Sequence, residues 1–314
     1  DRSGWMSVRI GMGLASFPFS EVHNLWRWVD LCEDNDVDSI WQTDRLISPQ
    51  PFLESMSLMA ALAGRTQRVK FGMNAIVVPF RDPLVLAKQC ATIDYLSDGR
   101  LLPVFGVGAE GAPEWKATGR PPRGRGAQAN EALQLMARLW SEERVSFDGE
   151  HYHYVDARLE PKPVQQPLPL WIGGASEAAI RRTARIGTGW LAGLMPSDQV
   201  GRVVSAIKKE SAALGRTIDA DHYGAGFAYR FGSWDDAVVE RAAAGLSRLA
   251  TPVEPQQFFA VGDAATILAR IAEYRAAGIS KFVLRPLADG DDEIYSQSQR
   301  LIEEVLPLAH GGPA

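Results

Sequence analysis

Eight short runs of apolar and β-branched residues recur along this chain with helical patterns between them, and this alternation limits the fold more than any other feature. Val8 to Leu14, Ser39 to Thr43, Val69 to Val78 and Leu101 to Val107 read as the first four strands. Pro169 to Ile172, Thr188 to Ala192, Tyr223 to Tyr229 and Lys281 to Arg285 complete the set. Helical patterns occupy Glu21 to Asn35, Phe52 to Leu62, Pro83 to Leu96, Gly126 to Trp140, Ser176 to Ile186 and Asp198 to Leu214, then 235–249, 263–277 and Asp291 to Leu306. Strands apolar on both faces need cover on both, so they belong in a parallel sheet with helices outside. Eight such units predict an α/β fold, a (β/α)8 TIM barrel in one domain over 6–310. The rival, an open doubly wound sheet, usually has fewer strands and a shorter chain. Residues 1–5 read as an extension and 311–314 as a tail.

Two connections exceed ordinary loop length, 108–125 and 141–168. Both are insertions after the fourth strand, flanking its helix, where they can cover the mouth of a barrel. In the second, alternation at Tyr152, Tyr154 and Val155 predicts a small hairpin. A net charge of -5 points to no nucleic-acid surface, and no apolar segment is long enough to span a bilayer. Cys32 and Cys90 lack CxxC or metal-ligand spacing and read as buried reduced thiols, which fits a cytoplasmic protein.

The local chemistry is less decided. In "PLWIGGASEAA", Pro169 to Ala179, a strand ends in two glycines and a serine before a helix. Glycines there let backbone amides approach an anion, and the helix start adds its positive dipole end. A tight turn with Ser176 as N-cap accounts for the same residues. Barrel phosphate sites often follow strands 7 and 8, whereas this turn follows the fifth. Gly106 to Gly111 formally satisfies GxGxxG, but neither the helix nor the distant acidic residue of a dinucleotide site follows. Thr43, Asp44 and Arg45 stand where the second strand ends, the end at which barrels carry chemistry. An arginine there can clamp an anion or oxyanion but cannot act as a base; the pair also reads as loop structure. Asp44 with Glu110 could form a glycosidase-like carboxylate pair. His151 and His153 lack a third ligand, so no metal is expected. Lys116, Arg120, Arg123 and Arg125 collect as a basic patch beside the presumed mouth, or as an ordinary solvated loop.

With these residues in view, the chain resembles the bacterial luciferase-like monooxygenase superfamily, whose members use reduced FMN or the deazaflavin F420. The resemblance rests on an ordered series: "RTQRVKFGMNAIVVPFRDPLVLAKQCATIDYLSDGRLLPVFGVG", "RGAQANEALQLMARLW", "FDGEHYHY", "EPKPVQQPLPLWIGGAS", "RIGTGWLAG" and "VGDAATILARIAEYRAAGISKFVLRP". It implies an oxidoreductase passing hydride between reduced cofactor and a small organic substrate, or using oxygen for monooxygenation. It further implies a non-proline cis peptide among Asn74, Ala75 and Ile76 behind the cofactor ring. Gly173, Gly174, Ala175 and Ser176 match the family's phosphate cradle. Gly108 matches the loop beside the ring, Trp190 the aromatic ending the next strand, and Thr43 joins the cofactor-binding set. Asp44 and Arg45 become the candidate polar groups at the reacting face. Many F420-dependent relatives carry Asp-His at that step, so Arg45 puts alcohol oxidation by a histidine base in doubt. The resemblance also implies a homodimer through the early helices. A cofactor-free barrel hydrolase, a non-catalytic binding protein and an NAD-dependent dehydrogenase are the alternatives.

Overall fold

The computed structural model describes residues 8–14, 16–246 and 254–310. Its first half runs β1 (Arg9–Leu14), α1 (Val22–Glu33), β2 (Ser39–Gln42), α2 (Ser55–Arg65), β3 (Lys70–Val77), α3 (Pro83–Leu96) and β4 (Leu101–Gly106). There follow α4 (Pro113–Thr118), α5 (Arg125–Ser141) and the hairpin strands β5 (Val145–Asp148) and β6 (His153–Ala157). The second half comprises β7 (Trp171–Gly173), α6 (Glu177–Ile186), β8 (Gly189–Leu191), α7 (Ser197–Ala213), β9 (Tyr223–Phe231) and α8 (Ala237–Leu246). It ends with β10 (Phe259–Gly262), α9 (Ala264–Ala276), β11 (Lys281–Pro286), α10 (Asp291–Arg300) and α11 (Leu306–His310).

Strands β11, β1, β2, β3, β4, β7, β8 and β9 pair in that order, and the β9–β11 pairing closes the ring. All are parallel, giving the expected (β/α)8 barrel. The reason is the one visible in the sequence: each of these strands is largely buried, and each is followed by a helix that supplies the outer cover. Capping side chains help mark several turns. Glu54 accepts the Met56 and Ser57 amides, and Asp82 accepts those of Leu84 and Val85 ahead of Pro83.

Two elements depart from the expectation. A ninth strand, β10, pairs with Ala228 to Phe231 along the edge of β9 that β8 occupies only at Tyr223 and Gly224. Because β8 is three residues long, half of that edge would otherwise lie unpaired. Within the first insertion, Pro113 opens the short helix α4. The second insertion forms the expected hairpin, antiparallel β5–β6. The expected helix end at 247–249, the extension at 1–5 and the tail at 311–314 lie outside the described residues.

The lumen of the barrel is filled unusually. Trp41, Val104, Trp171, Leu191 and Val283, one from each of five strands, form a cluster of their own, with Ala75 and Leu102 against it. Alternation along the strands sends their neighbours Ile40, Phe105, Ile172, Trp190, Phe282 and Leu284 outward into the larger core under the helices. Two indoles need more room than the aliphatic layers usual in such barrels. Glycines supply it: a methyl on Gly189 would fall 2.3 Å from Trp171 Cε2, and one on Gly72 2.6 Å from Trp41 Cζ3. Below the indoles, Lys281 pairs with Asp38 and lies 5.9 Å from the Trp41 ring centroid.

Candidate active site

The carboxyl ends of the strands form the rim. On β3 the peptide between Asn74 and Ala75 is cis, within the expected span, and the register against β4 shifts between Met73 and Ile76. Ala75 turns its methyl toward the lumen: added Cβ atoms on Gly106 and Gly173 would each stand 3.4 Å from it. Three adjacent strands, β3, β4 and β7, therefore present backbone and a single methyl, a flat floor that larger side chains would fill. Gly108 turns the chain away at φ 74, where an added Cβ would meet Val77 Cγ1 at 2.9 Å.

Beyond this floor comes the diglycine turn. Gly174 is exposed at φ 97, and Ser176 Oγ accepts the Ala179 amide at 3.2 Å as the N-cap of α6. Capping and anion binding are compatible here, because the amides of Glu177 and Ala178 in the first turn have no carbonyl partner within a helix. Ala175 is half-buried between them and the floor. Trp190, expected against the cofactor, requires correction. Its side chain is fully buried outside the barrel wall, and Nε1 donates to Gly174 O at 2.8 Å. Parity along β8 decides this, since Gly189 and Leu191 face the lumen. Trp190 braces the turn from behind.

Asp44 also changes role. Its side chain is 2% exposed, and its carboxylate accepts from Arg81 Nη1 and Nη2 at 2.8 Å each, Ser55 Oγ at 3.0 Å and the Val77 amide at 3.1 Å. With four donors on two oxygens it has no lone pair left for substrate. It ties the end of β2 to the start of α2 and the end of β3. That also removes the carboxylate pair with Glu110, which is exposed and lies 3.9 Å from Arg125. Arg45 turns toward α4, its Nε 3.6 Å from Glu114 Oε1. Glu114 is buried, and its Oε2 has no partner among the described residues, leaving an acceptor open beside Arg45. Thr43 and Asn74 are half-buried at the rim, and neither side chain makes a hydrogen bond among the described residues.

The basic patch divides. Arg120 donates to Pro79 O at 3.0 Å and Arg125 to Gly108 O and Pro122 O, so both fasten the insertion to the rim. Lys116 and Arg123 remain exposed. The two histidines of the HxH face separate partners: His153 Nδ1 lies 2.7 Å from Asp148, and the His151 amide donates to Glu131. Cys32 and Cys90 are free and buried, and burial pushes both thiols up in pKa.

One residue absent from the sequence-derived site stands out. Arg285, at the end of β11, shares the lumen-facing parity of Val283. A methyl on Gly13 would meet its Cγ at 3.3 Å and its Nε at 3.4 Å. It makes no hydrogen bond or ion pair among the described residues, and desolvation alone pulls its pKa down. In the sequence it merely ends an apolar run; only closure of the barrel shows which way it points.

The family model described as luciferase-like monooxygenase matches residues 6–259. An F420-dependent glucose-6-phosphate dehydrogenase of Amycolatopsis mediterranei is 28% identical over 312 residues, covering 88% of this chain and 91% of its own. An uncharacterised protein of Mycobacterium tuberculosis is 32% identical over 169 residues, 54% of this chain; the match spans only 57% of that relative's length. Among solved structures, monooxygenase RslO1 from Streptomyces bottropensis superposes with a TM-score of 0.81 at 21% identity, covering 95% of this chain and 99% of its own. An F420-dependent secondary alcohol dehydrogenase, solved with an F420-acetone adduct, gives 0.81 at 19% identity over 96% of this chain and 98% of its own. At these identities the structural likeness speaks for the fold. No helix among the described residues is long and apolar enough to cross a membrane.

Proposed function

The chain belongs to the luciferase-like monooxygenase family, and from that premise we propose that it is an oxidoreductase working with reduced F420 or reduced FMN on a small organic substrate. The observation that carries this reading is the floor of Ala75, Gly106 and Gly173: a side chain larger than a methyl at any of the three would occupy the surface on which a planar ring system can lie. The residues present fit such a group in composition as well as shape. Gly174 and Ser176 open a turn whose first helical amides suit a phosphate, within one strand's end of the floor. When bound, the cofactor supplies the hydride or the reaction with oxygen. The protein's own part is to orient and to exclude water. Thr43 and Asn74 offer donors at the rim, Gly108 gives the backbone close approach, and Asp44 and Trp190 hold the walls in place from behind.

Arg45 shapes the chemistry. A guanidinium stays protonated, so it cannot accept a hydroxyl proton, and oxidation of an alcohol by a base at this position is not available. It is suited to polarising a carbonyl or holding an anion. The curated relatives named as F420-dependent favour F420 over FMN. A cofactor-free hydrolase loses support because Asp44 is fully engaged. The buried thiols suit a reducing cytoplasm, and the resemblance suggests a homodimer through α1 and its neighbours. Side-by-side fluorescence titration with reduced F420 and reduced FMN tests the reading. Saturable binding of one, with clear preference over the other, is expected; binding of neither would overturn it.

A further inference from the structure

Among the described residues, the cations flanking Arg285 inside the barrel have answering groups. Lys281, the first residue of β11 and on the same face as Arg285, is paired with Asp38. Arg230 on neighbouring β9 is held by Asp236, Glu293 and Leu287 O. Arg285 has nothing: no carboxylate, no carbonyl and no aromatic face among the described residues. A half-buried guanidinium normally finds partners for its five donors, because leaving them unmet in a low-dielectric recess is costly. Its stem crosses Gly13, where an added Cβ would stand 3.3 Å from its Cγ and 3.4 Å from its Nε. A glycine there leaves the stem room to lie across β1 inside the lumen, and Arg285 stands next to last in β11, at the rim end of the barrel.

Position narrows what it meets. Around the ring, β11 stands opposite β4, the central strand of the flat floor. The phosphate turn follows β7, on the floor's far side. Arg285 thus faces across the mouth into the space a substrate would fill over the ring, rather than toward the cofactor's phosphate. One isolated cation in a recess matches one negative charge; a phosphate dianion would leave the pocket with net charge. A fork of parallel N–H groups matches the two oxygens of a carboxylate. We propose that Arg285 is the substrate-binding residue of this site and that it selects substrates carrying a carboxylate. This rests on the oxidoreductase reading above and gives its substrate a chemical class.

The test uses acetate, small enough to enter irrespective of the substrate's shape, on protein loaded with whichever cofactor binds and on the cofactor-free protein. Acetate should shift the Arg285 Nε–Hε NMR resonance saturably. Acetamide, its neutral isostere, and methyl phosphate should each bind weaker by roughly tenfold or more. In Arg285→Gln the acetate affinity should fall by a similar factor while cofactor affinity, measured on the same samples, is unchanged. Arg285→Lys should restore part of it. An unshifted resonance, equal binding of acetamide, or tighter binding of methyl phosphate overturns the proposal. Failure of both cofactors to bind while acetate still titrates Arg285 would instead sink the oxidoreductase reading and leave an anion site standing.

Discussion

Replacing Asp44 by alanine should be among the most damaging single changes at the rim, and its cost can be worked from the contacts. Arg81 is 11% exposed and Asp44 2%, so the pair is shielded from water on both sides. Breaking a buried pair by removing one partner costs about 3–5 kcal/mol, because the survivor keeps its charge without its counter-ion. Glu54, 3.2 Å from Arg81 and partly exposed, offsets a portion. The unpaired Ser55 hydroxyl and Val77 amide add about 1 kcal/mol each. A loss of about 4 kcal/mol is the balance, comparable with a large share of a domain's total stability. Urea unfolding followed by tryptophan emission measures it for Asp44→Ala, Arg81→Met and the double variant. The double variant should be closer to wild type than the sum of the two singles. A loss below about 1 kcal/mol for Asp44→Ala, or strict additivity, would refute the account of Asp44 as the tie between β2 and β3. Cofactor affinity should fall in the same variants, since the Val77 amide anchors the strand that carries Ala75.

Gly174→Val puts a β-branched residue at φ 97, with its Cβ 3.4 Å from that of Ala179. Cofactor binding should be lost while far-ultraviolet circular dichroism stays that of wild type; retained affinity would remove the turn from the site. Glu33 predicts an acid-side dependence. Burial opposes its charge, but the Val69, Gln67 and Arg68 amides outweigh that and hold its pKa below the usual carboxylate value. A depressed folded pKa means the stabilisation is complete above the unfolded value of about 4.3 and is lost as pH falls through the folded one. Unfolding free energies of wild type and Glu33→Gln should converge toward low pH; parallel curves would contradict the assignment.

The barrel strands were legible because buried parallel strands are apolar throughout and their helices carry clear periodicity. β10 was not: "FAVG" is four residues long and ends in glycine, and nothing local says that β8 is too short to cover β9. The diglycine turn could be located from sequence, as could Gly108, because each demands a backbone that other residues rarely adopt. Facing direction could not be. Trp190 sits in the middle of β8 and Arg285 near the end of β11, and only the parity set by Trp171, Leu191 and Val283 in the lumen sends one outward and the other inward. Asp44 shows a further limit, since its partner Arg81 comes from a different βα unit and no spacing rule joins them.

Trp41 and Trp171 divide the cylinder into two compartments. Beneath these two stoppers lies the Lys281–Asp38 pair; above them lie the glycine and alanine floor, one spare arginine and the ion pairs that tie the rim from outside the floor. Provided the Asp44–Arg81 tie is kept, the floor and the unpaired rim side chains of the upper compartment can be refurnished by mutation without disturbing what keeps the vessel closed. A laboratory seeking new reactivity from this scaffold should confine its libraries to side chains above the indoles and leave those two residues untouched.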